Sequence, residues 1–174
     1  MSKVLVTYAT KHQSTKEIAT FIGNVLKDNQ LDVDVLSVDD VVDLNDYSAV
    51  IIGSAVYIGH WLKSATNFIR HHQNQLAKQP VWIFSTGPTG DGDPDELLDG
   101  FLVPENIHET LMVIKPRHVI LFHGRLNRAQ LALGERLMVN AAQAPCGDFR
   151  DWNMIQAWTN RIVAELKSEA YMPL

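Results

Sequence analysis

The chain has 174 residues and a formal net charge of −5, with its lysines and arginines scattered rather than gathered in a stripe; that length suits one domain over residues 1–174 with a substantial core, and that charge pattern argues against nucleic acid as a partner. A single cysteine, Cys146, excludes an internal disulfide framework and any multi-cysteine metal or iron–sulfur centre. No apolar run reaches the length of a membrane span, and the first strand begins too early to leave room for a signal peptide, so the expected location is the cytoplasm.

The first element is Lys3 to Tyr8, a short apolar run that predicts a buried strand. Lys16 to Asn29 carries Ile18, Ile22, Val25 and Leu26 at helical spacing. Between the two lies Tyr8-Ala9-Thr10-Lys11-His12-Gln13-Ser14-Thr15. Ser14 followed by Glu17 is the S-x-x-E pattern of a capping box and predicts a helix start at Ser14–Thr15. Leu31 to Val35 alternates strictly, as a half-exposed strand near a sheet edge does. After an acidic loop from Asp39 to Tyr47, Ala49 to Gly53 is apolar throughout, as in a central parallel strand. Ser54 to His60 is a second loop, and Trp61 to His72 predicts a helix. Val81 to Phe84 is the next central strand, and Ser85 to Gly90 a third loop. From Pro94 a mobile acidic segment is expected to lead into a helix from about Pro104 to Ile114. Val119 to Phe122 is the last strand, and Leu131 to Asn140 has helical character. Asp151 is placed to cap a final helix carrying Ile155, Trp158, Ile162 and Leu166. Five strands alternating with helices imply an α/β fold with a doubly wound parallel sheet and right-handed crossovers.

In such a sheet, ligands bind beyond the carboxyl ends of the strands, where the strand order reverses. The loops after the first, third and fourth strands share that side. The first offers free amides from Lys11 to Thr15, the positive end of a helix dipole, and the hydroxyls of Thr10, Ser14 and Thr15. That is a phosphate cradle; taken alone, the same loop also reads as a capped turn that binds nothing. Neither G-x-x-x-x-G-K-[ST] nor G-x-G-x-x-G occurs there, so a P-loop and a dinucleotide fingerprint are both absent. The other two loops bring Tyr57 and Gly59, then Ser85-Thr86-Gly87-Pro88, an aromatic face and backbone groups for a planar ring. A phosphate joined to a flat ring describes a mononucleotide such as FMN.

With these loops in view, the sequence resembles the flavodoxins over essentially its whole length. Tyr8 to Thr15 looks like their phosphate-binding loop, and Ile52 to Gly59 and Ser85 to Pro88 look like their two flavin-ring loops. Gly53 to His60 and Gly147-Asp148-Phe149-Arg150-Asp151-Trp152 look most like the branch that includes menaquinone-dependent protoporphyrinogen IX dehydrogenase. The resemblance implies a flavodoxin-like five-stranded sheet in the order 2-1-3-4-5. It implies FMN held at its phosphate by Thr10, Lys11, His12, Gln13, Ser14 and Thr15. Around the ring it implies Ser54, Ala55, Val56, Tyr57, Ile58 and Gly59, with Ser85, Thr86, Gly87 and Pro88. Gln13 stands where many flavodoxins have glycine, so it is expected to keep φ below zero. Val56-Tyr57-Ile58 departs from the residues expected at the ring loop of the porphyrin enzyme.

Tyr57 is expected at the ring, stacked or at its edge, or else packed on the next helix. Trp61 is expected to anchor that helix rather than shield the ring. Thr86 and Gly87 are expected to offer backbone donors to the ring's polar edge. Asp91, Asp93 and Asp95 read as a solvated acidic loop; close to a flavin they would disfavour its reduced anion. The calcium-loop pattern that begins at Asp91 fails, with Glu96 at the sixth position and Leu102 at the twelfth. None of the seven histidines has metal-ligand spacing, so no metal is expected. No catalytic residue is assigned, and His60 is the one histidine worth testing as a proton donor. Gly124 to Asp148 reads as an amphipathic helix packed on the sheet; the alternative is a cover for a quinone or another hydrophobic partner, or a peripheral membrane contact.

Two functions follow. One is an FMN-dependent oxidoreductase linked to a quinone or a porphyrinogen, and the modest charge leans this way. The other is an electron-transfer protein that docks to redox partners and has no substrate of its own. A homodimer is compatible with both. A signalling receiver domain would need an acidic pair after the first strand and an aspartate ending the third; Tyr8-Ala9-Thr10 and Gly53-Ser54 stand there instead.

Overall fold

The computed structural model describes residues 3–97 and 103–170. The strands of the main sheet are β1 (Lys3–Ala9), β2 (Asp32–Ser37), β3 (Tyr47–Tyr57), β4 (Val81–Thr86) and β5 (His118–Phe122). The helices are α1 (Ser14–Asp28), α2 (Lys63–His71), α3 (Gln73–Leu76), α4 (Pro94–Leu97), α5 (His108–Ile114), α6 (Leu133–Ala141) and α7 (Trp152–Ala170). The five strands run parallel in the order β2-β1-β3-β4-β5, which is the order the resemblance implies. Two short antiparallel pairings decorate this frame: His60–Trp61 folds back on Val56–Tyr57, and Arg125–Leu126 pairs with Gly147–Asp148 as a separate ribbon.

The period-two alternation of the strands divides the core. Val4, Val6, Ile51, Trp82 and Phe84 face one side, where Ile18, Ile22 and Leu26 of α1 and Ile155, Trp158 and Ile162 of α7 cover them. Leu5, Val50, Ile52 and Ile83 face the other, under Ala65 and Ile69 of α2, Leu76 and Leu111. Each large aliphatic side chain buried this way contributes about 1.5–3 kcal/mol, which is why short strands and helices hold this arrangement. Gly53 is required at its place, because a Cβ there would run into the Phe84 ring on the neighbouring strand.

Three elements differ from the sequence expectation. β3 continues through Ser54–Tyr57, because Val56 and Tyr57 find partners in Trp61 and His60. The following helix therefore begins at Lys63, not at Trp61. β4 continues through Ser85 and Thr86, which stand in register with Leu121 and Phe122. Small residues follow each apolar run, Ser54-Ala55 in β3 and Ser85-Thr86 in β4, so the continuous apolar pattern stops before the ladder does. The expected mobile stretch after Pro94 begins with α4, and residues 98–102, with Leu102, lie outside the described residues, as does the Asp95 side chain.

Candidate functional site

The carboxyl ends of β1, β3 and β4 are aligned: Tyr8 sits opposite Gly53, and Ser54 opposite Ser85. The loops they launch converge on a cavity of about 410 Å³. Thr10, His12, Ser14 and Thr15 line it from the first loop, Ala55 to Gly59 from the second, and Thr86, Gly87, Pro88 and Thr89 from the third. A further wall, from the stretch that the sequence offered as a cover only in its less favoured alternative, consists of Leu131, Glu135, Met138, Val139, Ala142 and Ala144.

The start of α1 falls at Ser14, as expected. The capping box does not form. The N-cap is Gln13, without a side-chain cap. Ser14 Oγ accepts from the Arg125 amide at 3.2 Å. Glu17 turns outward and is forked between Arg125 Nη2 and Arg150 Nη1, each at 2.7 Å. Arg150 also grips Asp148, with Nε 2.8 Å from Oδ1, and its guanidinium lies 4.7 Å from the centre of the Trp152 ring. These contacts tie the Arg125–Leu126 ribbon to α1. The expected negative φ at Gln13 is also overturned: Gln13 has φ 68° and ψ −16°, in the left-handed region. The chain has only four residues to pass from β1 into α1, and Gln13 must aim its carbonyl at the Glu17 amide, 3.0 Å away. A non-glycine residue held there costs about 1–2 kcal/mol.

The floor of the cavity is cross-braced. Thr15 Oγ1 and Thr86 Oγ1 meet at 2.7 Å, joining the first loop to the third. Two hydroxyls share one hydrogen bond, so the pair retains one O–H donor for a further acceptor. Ser54 and Ser85 do not line the cavity; both are buried beneath it. Ser54 Oγ accepts from the Leu62 amide at 3.2 Å, and Ser85 Oγ accepts from Trp61 Nε1 at 2.8 Å. Trp61 is buried and anchors the chain ahead of α2, as expected. Gly87 is a correction: its amide donates to the Phe122 carbonyl at 3.1 Å and is not free for a ligand. The third loop is held further by the Gly124 amide, 3.0 Å from the Pro88 carbonyl. His123 adds to this, with Nδ1 3.2 Å from that carbonyl and Nε2 2.9 Å from the carbonyl of Gly92. A Cβ on Gly124 would sit 2.8 Å from the Gly87 carbonyl oxygen, so this approach needs glycine.

Tyr57 lies at the side of the cavity with Lys11 Nζ 5.4 Å from its ring centre. Burial, then the nearby Glu135 charge, pushes its hydroxyl up to about 12, so it stays protonated at neutral pH. Lys11 itself reaches over the first loop to pair with Glu135. Glu135 Oε1 also lies 3.1 Å from His12 Nε2. The Lys11 ammonium, the Ala132 amide and His12 together hold the Glu135 carboxyl down to about 2. His60 is exposed and does not line the cavity. Asp91 and Asp93 are exposed and likewise lie off it. Among the described residues, no three histidine, cysteine or acidic groups are placed to hold a metal ion, and no helix is long and apolar enough to cross a membrane.

The stretch after β5 is the largest correction. α6 does not pack on the sheet. None of its residues is buried, and Leu133, Leu137 and Met138 are 78%, 67% and 56% exposed. Both sheet faces are already covered by other helices, and the ribbon carries the chain out beyond the strand ends, so α6 becomes a wall of the cavity. The whole arrangement suits a phosphate bearing a flat ring: the first-turn amides of α1, which have no partner within the helix, the hydroxyl-rich turn beside them, and an apolar slot beside Tyr57.

A family profile for the flavodoxin domain matches residues 5–151. Protoporphyrinogen IX dehydrogenase [quinone] of Escherichia coli (strain K12) is 27% identical over 85 residues, 48% of this chain and 47% of that protein. The protein of the same name from Leishmania major is 30% identical over 90 residues, 50% of this chain and 39% of that one. The matches thus span about half or less of these relatives' length. A cysteine-to-serine mutant of a flavodoxin from Pseudomonas aeruginosa superposes with a TM-score of 0.58 at 15% identity, over 95% of this chain and 99% of that one, a likeness of fold. With the profile covering most of its length, this chain belongs to the flavodoxin domain family.

Proposed function

We propose that this protein is an FMN-dependent oxidoreductase that works with a quinone or a porphyrinogen. The observation that carries this reading is the second wall. A cavity that only held a cofactor would need the three sheet-borne loops; here Leu131, Met138, Val139 and Ala142 add an apolar side where a second, flat and hydrophobic molecule can lie. The half-length likeness to protoporphyrinogen IX dehydrogenase [quinone] supports the same substrate class.

The residues present suit FMN. The amides opening α1, with the hydroxyls of Thr10 and Ser14 and the spare O–H of the Thr15–Thr86 pair, take the phosphate. Ala55 to Gly59 and Thr86 to Pro88 border the ring, with Tyr57 as its aromatic neighbour. Bound FMN supplies the electron and hydride chemistry. The protein's share is to orient the ring, keep water from it with Leu131, Met138 and Val139, and keep the Tyr57 O–H protonated beside it.

A second reading, an electron-transfer protein that docks to redox partners, is favoured by one observation: Ile58, Leu133, Leu137 and Met138 are large, apolar and exposed. The deciding experiment is an absorption spectrum of the purified protein with added FMN, then anaerobic reduction and addition of a soluble quinone. A flavin spectrum and rapid quinone turnover support the enzyme. FMN uptake without quinone or porphyrinogen turnover, but with electron transfer to a redox protein, moves the assignment to the carrier. A protein that takes up no FMN removes both. Peripheral lipid contact through α6 and homodimer formation are subsidiary proposals, checked by vesicle pelleting and sedimentation.

A further inference from the structure

The attachment of α6 is uneven. At its base, the ribbon of Arg125–Leu126 and Gly147–Asp148 is fixed to α1 by the forked Glu17. The helix itself buries none of its residues. What joins it to the first loop is the Glu135 carboxylate, which pairs with Lys11 and lies 3.1 Å from His12 Nε2. Its other oxygen, Oε2, accepts from the Ala132 amide at 2.8 Å and closes the first turn of α6 on itself. That carboxylate is well covered, with 14% side-chain exposure.

Glu135 lines the same cavity as Thr10, Ser14 and Thr15, the group of donors that suits a phosphate. An arriving phosphate and the Glu135 carboxylate are like charges that draw on the same cations, Lys11 and His12. In a partly dry cavity their competition is stronger than it would be in water. The two anions are therefore coupled through shared partners.

We propose that Glu135 is the latch of a lid. With Glu135 on Lys11 and His12, α6 closes over the cavity; with that bond broken, α6 swings on the Arg125–Leu126 and Gly147–Asp148 ribbon and the cavity opens. This rests on the FMN reading above, and makes cofactor entry pass through the open form. Glu135 is a positioning residue: it acts through α6 and touches no reacting atom.

The test compares the full chain with Glu135→Gln, Lys11→Met and the double variant. Glutamine keeps the size of Glu135 and an acceptor for the Ala132 amide, and Lys11→Met leaves α6 untouched. Hydrogen exchange of residues 133–141 is measured without ligand, and FMN association is followed by stopped-flow flavin fluorescence. Each single variant should raise α6 exchange by up to about fivefold, the factor a partly exposed ion pair commonly carries, and Glu135→Gln, which leaves both cations in place for the phosphate, should raise the association rate by a similar factor. The double variant should match Glu135→Gln in α6 exchange, because that substitution already removes the carboxylate on which Lys11 acts. Wild-type exchange in both single variants, or wild-type association in Glu135→Gln, would overturn the latch. So would a lowered thermal midpoint with unchanged association, which marks a merely structural role. If the wild type takes up no FMN, the cofactor reading fails by itself, and the exchange comparison in ligand-free protein still decides whether Glu135 latches α6.

Discussion

The floor and the roof of the cavity are built on opposite principles. The floor consists of strand ends whose hydroxyls are buried and braced: Thr15 against Thr86, Ser85 against Trp61, Ser54 against the Leu62 amide. The roof, α6, buries no residue and is held by a two-residue ribbon and one carboxylate. Groups braced by a core open only with the core, whereas a helix with few buried contacts opens locally at low free energy. A cofactor's binding side gains from the first, since preorganised donors lose little on binding. A substrate's entrance gains from the second.

Substitutions in the two regions should separate accordingly. The largest effect is expected at Gly53→Ala, where the added Cβ meets the Phe84 ring. Overpacking of this kind costs about 1–3 kcal/mol, and a urea titration should show it together with weaker FMN uptake. Trp61→Phe keeps the buried ring but leaves the Ser85 hydroxyl without its 2.8 Å donor. A loss of about 1–3 kcal/mol is expected, toward the lower end, again by urea titration. An unchanged midpoint in both variants would break the contrast between floor and roof.

Gln13→Gly should act in the opposite direction. It relieves a left-handed residue at φ 68°, a gain of about 1–2 kcal/mol that the greater freedom of glycine in the unfolded chain partly offsets. A small upward shift of the thermal midpoint is the expected result. On the roof, Leu137→Ser should change global stability by no more than about 0.5 kcal/mol, since that side chain is mostly exposed.

Acid sharpens the comparison further. The folded Glu135 carboxyl is held down to about 2, against 4.5 for the free group. A group whose pKa is lowered by folding stabilises fully above its unfolded value and loses that contribution as pH falls toward its folded value. The attachment of α6 should therefore weaken on acidification from about pH 4.5 to about pH 2. Backbone NMR signals of residues 133–141 should shift in that window, and Glu135→Gln should abolish the dependence.

Much of this was legible along the chain. The continuous apolar runs of the central strands, the alternation of Leu31 to Val35 and the 3.6-residue spacing of Ile18, Ile22, Val25 and Leu26 marked the elements of the main sheet and α1, because those patterns record burial directly. The Asp151 cap was equally readable: its Oδ1 accepts from the Asn153 and Met154 amides at 2.9 and 3.0 Å, a contact made within a few residues. The S-x-x-E pattern misled, because Glu17 found better partners in two arginines more than a hundred residues away. α6 misled for a related reason. Its amphipathic pattern said that one side would face apolar groups, but not that those groups would be a cavity instead of the sheet.

The sequence by itself determined the order of strands and helices, and a hydroxyl-rich turn between β1 and α1, since each depends on neighbours a few residues apart. Only the tertiary structure decided that Gln13 is left-handed, that the Gly87 amide is engaged by Phe122, and that His12 meets Glu135 across 123 residues. Those outcomes depend on which surfaces remain uncovered once the sheet has closed, and no local periodicity carries that information.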